Sequence, residues 1–81
     1  MFSSLTEFYA FVDTVIDKLH QGGALSWEAR LREAMASGFT WGEVLGKLRV
    51  QFRELQRTET LHLESDVITA LAYLNEVLGP R

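Results

Sequence analysis

The side chains able to do chemistry in this chain are few and scattered. It has two histidines, His20 and His62, and no cysteine. Disulfides, thiolate nucleophiles and cysteine metal sites are therefore ruled out together. The densest grouping is Glu59, His62 and Asp66, which share a face only if a helix starts early enough to carry all of them. One imidazole and two carboxylates could hold a divalent ion, but nothing near in sequence offers a fourth ligand or a supporting shell. A solvated helix start explains the same residues. His20 falls where a last helical turn is expected, and there a cationic imidazole favours the negative end of the dipole. Ser4 and Ser26 read as helix caps, and no serine has a base near it in sequence. No glycine-rich turn joins a strand to a helix in the way that cradles phosphate. The expectation is a protein that is not an enzyme and holds no metal or cofactor.

Helices must carry whatever these residues do. The chain has 81 residues, enough for one core and no second. Its hydrophobic content of 47%, with two Trp, five Phe and two Tyr, points to a packed core. Apart from Pro80, its punctuation is glycine, at Gly22-Gly23, Gly38 and Gly79. Between these marks the apolar spacing is helical, with no strand-like alternation. The prediction is an all-α, small antiparallel bundle of three long helices and one short one, at about 4–20, 26–37, 40–57 and 62–78.

The first helix opens on Ser4-Leu5-Thr6-Glu7, read as a reciprocal capping box, and buries Leu5, Phe8, Tyr9, Val12, Val15, Ile16 and Leu19. Gly22 or Gly23 supplies its left-handed stop. The second helix has a thin inner face of Trp27, Leu31, Ala34 and Met35. In the third, Thr40 and Glu43 form another capping box, and Phe39 and Val44 form a hydrophobic staple. Its buried stripe is Trp41, Val44, Leu45, Leu48, Phe52 and Leu55. The fourth lines Leu63, Val67, Leu71, Leu74 and Leu78 inward, with Ala70 and Val77 beside them, and stops at Gly79-Pro80.

The third helix carries the candidate functional surface. Gly42 and Gly46 lie inside its first turns, where each glycine costs about 1 kcal/mol relative to alanine. At 100° per residue with Trp41 at zero, Gly42, Gly46, Arg49, Val50, Arg53 and Arg57 fall together from about 80° to 180°. This flank suits close, bidentate contact with an acidic protein partner. It equally suits packing against a sister helix, with the arginines pairing weakly to neighbouring acids. Phe11, Val50, Ile68 and Tyr73 sit at or beyond the edges of their stripes, which favours self-association.

The net charge of −3 gives no global attraction to nucleic acid or anionic membranes. The first nineteen residues lack a basic leader and carry Glu7, Asp13 and Asp17, unlike a signal peptide or a membrane span. A cytoplasmic protein is expected. Residues 28–48 offer an alternative, a DNA-binding helix-turn-helix with Ala34, Gly38, Phe39 and Val44 around the turn. Against it, Glu33, Ser37 and Lys47 stand where that motif keeps apolar or inward residues. The run Gly-x-Thr-x-x-Glu-Val-Leu-x-x-Leu-Arg at 38–49, within Leu31 to Leu78, resembles a group of short all-helical bacterial proteins of unknown function. That resemblance implies a small helical fold and a bacterial origin and lends no activity or site residues. The reading is a non-catalytic interaction module: a small regulator, an immunity-like protein that blocks a toxin, or an assembly subunit.

Overall fold

The computed structural model of the chain describes residues 2–58 and 63–79. These form α1 (Leu5–Gln21), α2 (Leu25–Ala36), α3 (Trp41–Thr58) and α4 (Glu64–Leu78), with no strand among the described residues. The all-α bundle expected from the apolar spacing is what the chain forms. The start of the fourth helix lies at Glu64, two residues later than expected.

The helix ends differ in detail from their sequence signatures. Ser4 Oγ accepts the Glu7 N–H at 3.2 Å, but the Glu7 carboxylate does not return to Ser4. It accepts the backbone N–H of Ser3 at 2.9 Å and its hydroxyl at 2.7 Å, and these bonds hold the carboxyl below its ordinary range. At the other end of α1, the Ala24 N–H reaches Leu19 O at 2.9 Å and the Gly23 N–H reaches His20 O at 3.1 Å. With Gly23 at φ 78°, this is a Schellman stop. The same Ala24 then begins α2, its carbonyl accepting the Glu28 N–H at 3.0 Å. Because Ala24 both ends one helix and starts the next, Ser26 lies inside α2 and is not its cap.

The corner between α2 and α3 turns on Gly38. A β-carbon there would sit 2.7 Å from Val44 Cγ2 and 2.9 Å from Val44 N, so only glycine fits without a shift. Thr40 Oγ1 accepts the Glu43 N–H at 3.2 Å, as a cap should. The expected staple does not form. With the Gly38 backbone seated on Val44, Phe39 is turned outward and is 99% exposed. Trp41 is a second correction: it is 56% exposed, because the buried part of α3 begins only at Val44.

The helices pack in a ring, α1 and α3 each lying against both α2 and α4. Lys18 at the end of α1 meets Asp66 at the start of α4 at 2.7 Å. Phe8 stacks on Tyr73 with centroids 4.5 Å apart, so α1 and α4 run antiparallel. Arg30 meets Glu54 at 3.0 Å and Lys47 meets Ser37, so α2 and α3 do too. Phe8, Leu19, Leu31, Leu45, Leu48, Phe52 and Leu74 are fully enclosed, and burial of each such side chain contributes about 1.5–3 kcal/mol. Phe2 closes one end, its ring 5.3 Å from Phe8, 5.0 Å from Phe11 and 5.3 Å from Tyr73. Phe11 and Tyr73 therefore belong to the core or its edge and are not surface residues.

At the α1–α2 turn, the Glu28 carboxylate lies 2.9 Å from His20 Nδ1 and 2.9 Å from an Arg32 nitrogen. His20 thus serves a neighbouring helix and not the end of its own. The hydrogen bond to His20, with help from Arg32, holds the Glu28 carboxyl below the ordinary value of 4.5.

Two predictions follow from this packing. Gly38→Ala should lose about 1–3 kcal/mol in urea unfolding, since the added methyl must displace Val44. A depressed carboxyl stabilises the fold above its unfolded pKa, and that contribution disappears as pH falls through the lower folded value. Stability should therefore drop as pH falls below 4.5, and Glu28→Gln should flatten that part of the pH profile.

Candidate interaction surface

The expected flank is divided by what its side chains do. Arg49 is half-buried and donates from Nη1 to Gly79 O at 2.6 Å and to Asn75 Oδ1 at 3.3 Å. Gly79 leaves α4 at φ 92°, so the guanidinium closes the carbonyl end of that helix, where a cation is favoured by the dipole. On the other side of α3, Lys47 Nζ donates to Ser37 O and Ser37 Oγ, each at 3.0 Å. Ser37 is the C-cap of α2. Two cations of α3 thus terminate the helices on either side of it. Sequence reasoning gave Arg49 a docking role and did not find the Lys47 contact, since neither depends on local spacing.

Arg53 is half-buried and engaged within the chain. Arg57 is exposed and edges a groove of about 290 Å³ with Trp27, Arg30 and Glu54. In that groove Arg30 lies 4.1 Å over the Trp27 ring while pairing with Glu54. Val50 is 52% exposed and borders a second groove, of about 420 Å³, between α2 and α3. Arg30, Glu33, Ser37, Lys47 and Gln51 line it, and the buried Gln51 Oε1 has no hydrogen-bond partner.

The glycines give the sharpest result. Among the described residues, a β-carbon at Gly46 would meet nothing within 4 Å, and one at Gly42 would meet only Thr40 Oγ1 at 3.9 Å. Among the described residues no other helix comes within 4 Å of a β-carbon at either position, so close helix packing there does not account for the two glycines. The tight contact is at Gly38 instead. Exposed aromatic surface gathers at the same end of α3, at Phe39 and Trp41. Residues at a helix start stay open when neighbouring helices do not reach that far, which the stripe angle alone does not show.

The sequence's metal candidate lies partly outside the described residues, which exclude Glu59 and His62. Asp66 itself is paired with Lys18. Among the described residues no cluster of three or more His, Asp or Glu side chains could hold an ion. No helix of the described residues is long and apolar enough to cross a membrane.

No family model, curated protein or solved structure matches the chain. Its surface is therefore read from its own chemistry.

The division of the flank has a measurable consequence. Arg49→Ala should lower unfolding stability by about 1–3 kcal/mol, since it removes charge-assisted bonds to the end of α4. Gly46→Ala should raise it by about 0.5–1 kcal/mol, because helix propensity improves and no neighbour is displaced. Urea titrations of the two variants in dilute solution check both signs.

Proposed function

We propose that the chain is a non-catalytic protein–protein interaction module, a small regulator or assembly subunit, that docks through the outward face of α3. The observation that carries this reading is Gly46. It sits inside an 18-residue helix, weakens that helix, and opens a gap that none of the described residues fills. Val50 lies one turn further along the helix and is half-exposed. Trp41 and Phe39 add exposed aromatic area at the N-terminal end, and aromatic side chains are enriched at protein interfaces.

The competing reading is a DNA-binding helix-turn-helix. The close Gly38–Val44 contact favours it, since such a motif needs a tight corner. The electrostatics of α3 weigh against it. The N-terminal turn carries Glu43, and Lys47 and Arg49 direct their charges onto the ends of α2 and α4. A duplex would meet a face of mixed charge there, with Glu43 and Glu54 exposed beside Lys47 and Arg57.

A photoreactive amino acid placed at position 46 tests the interaction reading, with position 13 on the exposed face of α1 as control. Irradiation in extract of the source cells should give a discrete protein adduct from position 46, and Val50→Glu should abolish it. Equal labelling from position 13, or none from either, would contradict the proposal. A nucleic-acid adduct from position 46 would favour the competing reading.

A further inference from the structure

The outward face of α3 has a pattern that its docking role does not require. Glu43, Gly46, Val50, Arg53 and Arg57 recur at alternating spacings of three and four, the seam spacing of a helix that packs against another. Val50 lies at the middle. Seven residues before it stands Glu43 and seven after it Arg57, and both are exposed. On the α2-facing flank, Lys47 precedes Val50 and Glu54 follows it at similar distance, with the signs reversed. Apart from Arg53, which has Gly46 as its counterpart, the charges of the face are thus antisymmetric about Val50.

An antisymmetric charge pattern is complementary to itself in one orientation only. Two copies of α3 laid antiparallel and crossing at Val50 set Glu43 of each against Arg57 of the other. They also set Lys47 against Glu54, and Val50 against Val50. A parallel arrangement would face like charge with like along the whole helix, which is unfavourable. Gly46 completes the fit. In the antiparallel arrangement it lies opposite the stem of the other copy's Arg53, and the space over its backbone, open among the described residues, leaves room for that side chain. Closed two-fold contacts pair a patch with itself, so each favourable contact is made twice.

From this we infer that the occupant of the α3 face is a second copy of this chain, forming an antiparallel α3–α3 dimer about Val50. The inference rests on the proposed docking role of α3 and names its partner. One 18-residue helix per copy gives an interface at the small end of specific contacts, below about 1,200 Å² in total, so the dimer is reversible. The internal pairs Arg30–Glu54 and Lys47–Ser37 orient Glu54 and Lys47 without using all of their hydrogen-bonding capacity.

The absence of cysteine makes disulfide trapping a clean test. Val50→Cys should oxidise to a covalent dimer much faster than an Asp13→Cys control. Glu43→Cys alone should not, because the two copies of that residue would lie about 21 Å apart, some 14 residues of helical rise. In sedimentation equilibrium up to millimolar protein, Glu43→Arg and Arg57→Glu should each weaken self-association about 10-fold or more, and the double swap should restore it to within about 3-fold. Both positions are exposed, so the variants should keep the helical circular dichroism of the parent. The inference is overturned if Val50→Cys oxidises no faster than the control, if Glu43→Cys oxidises faster than Val50→Cys, or if the double swap does not rescue. If self-association fails while a photoreactive group at position 46 still labels another protein, the dimer is wrong and the docking face stands. If position 46 labels nothing either, both are wrong.

Discussion

The bundle depends on the contact between Gly38 and Val44. A side chain at residue 38 would overlap both the side chain and the backbone of Val44, so the chain between α2 and α3 turns more tightly than any other residue type would allow. That turn brings the end of α2 within reach of Lys47 and sets Leu45, Leu48 and Phe52 facing the enclosed interior. It also throws Phe39 into solvent. The same constraint therefore builds the core and creates the most exposed aromatic residue of the described chain.

Around this corner, α3 acts as the shared wall of the bundle. Its stripe supplies core residues, and its flanking cations close the carbonyl ends of α2 and α4. Exposed ion pairs such as Lys18–Asp66 and Arg32–Glu28 contribute about 0–1 kcal/mol each and serve mainly to orient the helices. Stability comes chiefly from the enclosed aliphatic and aromatic side chains, including the Phe2–Phe8–Tyr73 cluster. Once the inner stripe, both flanks of α3 and Arg53 are assigned, the outward strip around Gly46 and Val50 is left without a structural role among the described residues. That strip holds a glycine with open space over it and an exposed valine.

The helices themselves were legible in the sequence, because apolar spacing, glycine stops and capping residues are local signals. Ser4, Thr40, Gly23 and Gly79 act at helix ends as their types predict. What the sequence concealed was non-local. Ser26 resembles a cap, but the Schellman stop at Ala24 had already started α2. Trp41 has the angle of a core residue, but it precedes Val44, where the buried part of α3 begins. Tyr73 sits at the edge of its stripe and is buried because Phe2 and Phe8 fold against it. Of the candidate surface, Gly42, Gly46 and Val50 could be picked out by their strangeness on a helix. Arg49 could not be separated from them, because its partner is a carbonyl thirty residues away. That Gly42 and Gly46 lack a close neighbour among the described residues, while Gly38 has one, is a fact of packing that spacing cannot supply.

The central claim is that the outward face of α3 is an association surface, and amide chemical shifts followed through a dilution series test it most directly. The account predicts concentration-dependent shifts concentrated at Glu43, Gly46, Val50 and Arg57, with the exposed face of α1 around Asp13 and Asp17 unmoved. Shifts centred on α1 or α4, or a spectrum unchanged up to millimolar concentration, would contradict it.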